Sequence, residues 1–183
     1  PGQAPNSEIE EVSMLNLPVK EVLLLCCSLC AVERTAQAGG TDVEHLPVRI
    51  LFQENLSGGS RPDPAVVLVS DSGQLERIIS EAKRQTIGQP PQAPAVDFEA
   101  ANVVLIRMGQ RPTGGYGIEL AEPQARLDNG TALIRLRWIE PAPGTVSTQA
   151  LTSPCLVIEL PKGAYRKIVI TDESGSIKGE ISV

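Results

Sequence analysis

Met108-Gly109-Gln110-Arg111-Pro112-Thr113-Gly114-Gly115-Tyr116-Gly117-Ile118 lies between two apolar runs, and how it is read decides the fold class. Val103, Val104, Leu105 and Ile106 lead in without interruption, as a strand buried on both faces would, while Tyr116, Ile118 and Leu120 lead out with a period of two. A loop so flanked joins strands. Pro112 holds φ at roughly −65° and removes a donor, while Gly114 and Gly115 tolerate positive φ, so the backbone turns sharply and presents bare amides. Such a surface suits contact with another backbone. The plainer alternative is that Pro-Thr-Gly-Gly is only a tight hairpin connection.

Working outward, Val48-Arg49-Ile50-Leu51-Phe52 reads as a first strand with Val48, Ile50 and Phe52 on one face and Pro47 at its start. Residues 55–64 are turn material, and residues 65–69 form a buried strand. Asp71 followed by Gln74 has a capping-box pattern, and Leu75, Ile78, Ile79 and Ala82 recur at helical spacing, which predicts a helix over 72–85 closed by Gly88. Gln89-Pro90-Pro91-Gln92-Ala93-Pro94 is a stiff spacer. Beyond it strands dominate. Asp128-Asn129-Gly130 signals a hairpin turn, and Ala132, Ile134, Leu136 and Trp138 alternate with Leu133, Arg135, Arg137 and Ile139 as a half-buried strand. Residues 155–160, 165–170 and 177–183 supply three last strands, the final two joined across Asp172-Glu173-Ser174-Gly175. The expected fold is α+β and mostly β: an antiparallel sandwich or barrel-like domain with one packed helix.

The amino-terminal region reads differently. Val22-Leu23-Leu24-Leu25-Cys26-Cys27-Ser28-Leu29-Cys30-Ala31-Val32 is an apolar block the size of a signal-peptide core, and Ala36-Gln37-Ala38 is a small-x-small cleavage pattern. The expected organisation is therefore a non-native or readthrough tail over 1–13, a signal peptide over 14–38 cleaved after Ala38, and one β-rich domain over 39–183. Eleven residues are too few to span about 30 Å of hydrocarbon, so a permanent membrane span is not expected and a buried helix is the alternative. Cys26, Cys27 and Cys30 lie in the block, and Leu29 and Cys26 are not the small residues a lipid-attachment site wants, so a lipid anchor ranks below simple cleavage. The expected product is periplasmic or secreted.

Composition limits the chemistry. A net charge of −6 with scattered Lys and Arg argues against nucleic acid, which needs a clustered basic surface. Arg135 and Arg137 are candidate anion ligands, read first as solvated edge residues. The single histidine, His45, sits in the tether before the first strand with no serine or cysteine partner, and it leaves a metal site without ligands. Cys155, amid Pro154, Leu156 and Val157, reads as a core thiol. Gly114-Gly115-Tyr116-Gly117 leads into a strand, so it lacks the helix amino terminus of a dinucleotide site. The expectation is no enzyme, no metal and no cofactor, with a site assembled only in three dimensions as the competing reading.

Two separated motifs, Arg111-Pro112-Thr113-Gly114-Gly115-Tyr116 and Thr148-Gln149-Ala150-Leu151-Thr152-Ser153-Pro154, follow in this order within residues 101–161, and with them the segment resembles the carboxy-terminal domain of the protease-complex subunit PrcB family. An apolar strand leads into Arg111-Pro112-Thr113-Gly114-Gly115-Tyr116-x-Ile118. Pro143-Gly144, then Thr148-Gln149-Ala150-Leu151-Thr152-Ser153-Pro154, and a strand ending at Leu160-Pro161 follow. The resemblance implies an exported accessory or stabilising subunit of an extracytoplasmic protease or envelope complex. Cys155 stands where the family commonly has an aromatic, and a clean lipid-attachment motif is absent. The same loop is similar, more faintly, to that of chagasin-type protease inhibitors, although Thr113 is followed by Gly114 rather than a second threonine.

Both readings give a protein partner at the same surface: the inhibitor reading uses the loop Arg111, Pro112, Thr113, Gly114, Gly115 and Tyr116, and the accessory-subunit reading adds Thr148, Gln149, Thr152 and Pro154 as a second contact loop. A Gly-Gly loop needs bracing, because fixing each residue costs about 1–2 kcal/mol. The two loops are therefore expected side by side, with Gln149 or Thr148 bonded to main-chain groups between Pro112 and Tyr116.

Overall fold

The unbroken apolar run at 103–106 becomes a strand covered on both sides, and the rest of the fold is layered about it. The computed structural model describes residues 44–55, 63–83 and 92–183, which belong to one unit spanning Asp42–Val183. The expected tail, the expected signal segment with its cleavage site, Gly88 and the first part of the proline-rich spacer lie outside the described residues. The elements are β1 (Glu44–Pro47), β2 (Arg49–Glu54), β3 (Ala65–Val69), α1 (Ser72–Ala82), β4 (Ala101–Arg107), β5 (Gly117–Leu120), β6 (Gln124–Asp128), β7 (Thr131–Ile139), β8 (Cys155–Pro161), β9 (Lys167–Thr171) and β10 (Ile177–Ser182).

Two open sheets make the sandwich. One has the order β2-β8-β4-β3 and the other β1-β6-β7-β9-β10, with β5 also on β7. Val104 and Ile106 of β4 and Leu156, Ile158 and Leu160 of β8 pack against Ile118, Ile134, Leu136, Ile168 and Ile170 of the facing sheet. Val103 and Leu105 turn the other way, onto Leu75, Ile78, Ile79 and Ala82 of α1. Each such side chain is worth about 1.5–3 kcal/mol when fully buried, so this three-layer core explains why β4 has no polar alternation.

α1 starts where the capping pattern places it. The Asp71 carboxylate accepts from the Gln74 N–H at 2.8 Å, and the Gln74 amide oxygen reaches back to the Ser70 N–H at 2.7 Å, one residue beyond the usual reciprocal bond. It ends at Ala82, shorter than the 72–85 expected, with the Lys83 N–H donating to the Ile79 carbonyl at 3.0 Å. Asn129 and Gly130, with φ of 46° and 73°, form the hairpin turn between β6 and β7.

The pairing is mostly antiparallel, as expected, with one parallel pair, β7 and β9, between which in sequence β8 crosses to the other sheet. Two expectations are corrected. Val48, Ile50 and Phe52 do not share a face. Val48 is buried between the sheets at the point where the chain passes from one to the other, and the β2–β8 pairing shifts between Ile50 and Phe52, so Phe52 packs on the helix side. His45 lies not in a tether but on β1, exposed and opposite Arg126. The Val48 switch is held by its N–H, which donates at 2.9 Å to the Pro123 carbonyl. Pro123 itself sits where the β5–β6 segment slips register against β7, between the pairs Leu120↔Leu136 and Arg126↔Leu133.

Candidate functional site

The two distant loops are brought together by the β4–β8 ladder, which they extend. The last ladder pair is Arg107↔Cys155, and beyond it the Met108 N–H donates to the Pro154 carbonyl at 3.0 Å. Arg111 and Thr152 then form an antiparallel bridge, with N–H to carbonyl distances of 2.8 and 3.0 Å in the two directions. Finally the Gly114 N–H donates to the Thr148 carbonyl at 2.9 Å. The loops therefore lie along one another as a frayed continuation of two paired strands.

The glycines have separate structural reasons. A Cβ at Gly114 would collide with the Thr148 hydroxyl, so the close approach of the loops needs a residue without one. Gly115 has φ of +89°, where an L side chain is strained. The polar side chain that braces the seam is neither Gln149 nor Thr148. Thr152, 2% exposed, donates its hydroxyl to the Thr113 carbonyl at 2.8 Å, while Thr148 contributes only its main-chain oxygen. Gln149 is exposed.

The ten residues expected as contacts divide by accessibility. Gly114, Thr152 and Pro154 are buried and form the seam, Arg111, Thr113 and Tyr116 are half-buried, and Pro112, Gly115, Thr148 and Gln149 are exposed. Tyr116 packs against the inter-sheet core on one side. Arg111 lies over its ring, with the guanidinium carbon 5.6 Å from the centroid, a cation–π arrangement. The Arg111 Nε is buried and has no hydrogen-bond partner.

Sequence reasoning missed two residues on the second loop. Val146 is 98% exposed and Leu151 is 67% exposed. Their only sequence signal is that each is an isolated large aliphatic side chain in a polar run, a pattern that also fits a loop folding inward. Elsewhere the arginine pair is already neutralised: Arg135 bonds Glu122 at 3.2 Å and Arg137 bonds Glu119 at 3.1 Å. Cys155 is buried in the helix-side core. A cleft of about 380 Å³ lined by Pro47, Val48, Ala101, Glu159 and Pro161 lies at the β1–β2 corner, away from the loop pair.

Among the described residues two titratable groups are shifted, both outside the loops. Asp172 accepts from the Ser174 hydroxyl at 2.6 Å and the Ser176 N–H at 2.9 Å and pairs with Lys178 at 2.9 Å, which holds its carboxyl well below the usual range. Burial pushes the Tyr165 phenol up, against a smaller opposing effect of the bond from Asn102. The Tyr165 hydroxyl donates to the Pro161 carbonyl at 2.8 Å and so pins the turn after β8.

Residues 102–161 match the PrcB C-terminal family. The matched segment is about a third of the chain and runs from β4 to the end of β8, so it takes in both loops and the seam between them. No curated protein and no solved structure matches the chain. Among the described residues no helix is long and apolar enough to cross a membrane.

Proposed function

We propose that the chain is a non-catalytic, exported protein-binding module, an accessory or stabilising subunit of an extracytoplasmic protease or envelope complex. The observation that carries this reading is the exposure of Val146 and Leu151 on a loop whose main chain is bonded into the sandwich at Thr148 and Thr152. Exposed apolar side chains on an unanchored loop bind poorly, because ordering the loop consumes the gain from burying them; here much of that ordering has already occurred on folding. The PrcB C-terminal match supports a place beside a protease, the association that the resemblance implies. The apolar block at 22–32 supports export.

The inhibitor alternative has less support, since it needs residues 111–116 as a projecting tip, whereas Gly114 is buried against the second loop. The enzyme alternative is disfavoured by the placement of its best nucleophile, Cys155, inside the core.

Affinity capture from the envelope fraction of the source cells tests the reading, comparing the wild-type chain with a Val146→Asp, Leu151→Asp double variant. The expected result is a component of a protease or envelope complex retained by the wild type and lost by the variant. Equal retention by both, or no such component with either, overturns it.

A further inference from the structure

The loop face also carries a cation in a costly setting, and a role for that cation rests on the protein-binding reading of the face. Arg49, Arg126, Arg135 and Arg137 each pair with a carboxylate. Arg111 pairs with none among the described residues. Its main chain is locked to Thr152 in both directions, its guanidinium is held over the Tyr116 ring, and its Nε is shut away from water without an acceptor. A buried donor left without an acceptor is costly, and more so when charged. A solvated arginine escapes that cost by swinging outward; this one is kept in place while the residue stays partly exposed.

The surroundings narrow what it meets. Leu151 directly precedes the residue that bridges Arg111, and Val146 lies two residues before the Thr148 carbonyl that holds Gly114, so the cation and both exposed aliphatic side chains belong to the same pair of bonded loops. A free inorganic anion satisfies the charge and leaves both side chains wet. A purely apolar segment covers them and strands the guanidinium away from water. We propose that this face docks a segment of a protein partner that presents an Asp or Glu side-chain carboxylate to the outer nitrogens of Arg111 and apolar side chains to Leu151 and Val146. Charge complementarity supports it: on a chain of net charge −6, an unpaired, pre-positioned guanidinium is a local site where an acidic group is welcomed rather than repelled.

The test uses the full chain, immobilised and panned with a phage-displayed random peptide library. Selected sequences are remade as synthetic peptides, each with a free and an amidated carboxy terminus. The expected outcome is enrichment of peptides that place Asp or Glu beside Leu, Ile, Val or Phe. Affinity should fall about tenfold or more when the peptide's acid is changed to its amide, a substitution that leaves the protein untouched, and comparably with Arg111→Gln. Peptides that need Leu151 and Val146 but are indifferent to the acid-to-amide change overturn the carboxylate contact and leave the protein-binding reading standing. Loss of binding on carboxy-terminal amidation alone overturns it in favour of a free chain end. No enrichment over empty phage overturns both.

Discussion

Thr152 shows how one side chain joins two motifs that lie far apart in sequence. Its hydroxyl serves the Thr113 carbonyl while its main chain serves Arg111, so a single residue of the second loop holds two positions of the first. Thr152→Val keeps the shape and removes the donor. The expected cost is about 1–2 kcal/mol in chemical denaturation, because the Thr113 carbonyl is left partly shielded and unpaired; a variant as stable as the wild type would show that the hydroxyl bond contributes nothing. Asp172 gives a second residue-scale prediction. Its carboxyl is depressed in the folded state, so its contribution is present above the unfolded value of about 3.9 and is lost as pH falls through the folded value. The stability gap between wild type and Asp172→Asn is expected to be constant from neutral pH down to about pH 5 and to narrow in stronger acid. A gap that closes near neutrality contradicts the assignment.

At the scale of elements, the seam predicts coupling between its two loops. Gly114→Ala places a Cβ against the Thr148 hydroxyl and forces that side chain to turn, at an expected cost of about 1 kcal/mol. In a Thr148→Ala background the same substitution is expected to be nearly neutral, so a double-mutant cycle should return a coupling of about 1 kcal/mol, where independent loops would give none. The sequence discloses such elements unevenly. α1 is legible because Asp71, Gln74 and the spacing of Leu75, Ile78, Ile79 and Ala82 all act locally. The β6–β7 turn is legible because Asn129 and Gly130 tolerate the positive φ it needs. The sheet change at Val48, the slip near Pro123 and the parallel β7–β9 pair are not, since each depends on partners distant in sequence. The meeting of the loops is legible from their complementary needs, bare amides on one and short polar groups on the other. Which threonine braces them is not, because Thr148 and Thr152 differ only in register along the ladder.

For the whole molecule, the site follows from how the sandwich closes. At one side β1 runs directly into β2 and so ties the two sheets together; at the other, Gly179 of β10 lies so close to Val66 of β3 that a Cβ there would collide with it. With both sides so constrained, the β4–β8 ladder passes through the middle of its sheet, and its continuation past Arg107 and Cys155 supplies the paired loops. The proposed binding face is thus an extension of the most buried ladder rather than an appended flexible arm. Residue-resolved amide hydrogen exchange on the described domain tests this most directly. If the seam is a built continuation of the ladder, the amides of Arg111, Gly114 and Thr152 exchange slowly, with protection approaching that of Val104 and Ile158, while the amide of Val146 exchanges freely. Rapid exchange of Arg111, Gly114 and Thr152 at the rate of Val146 would contradict it, since the loops would then be independent and the composite face would not exist.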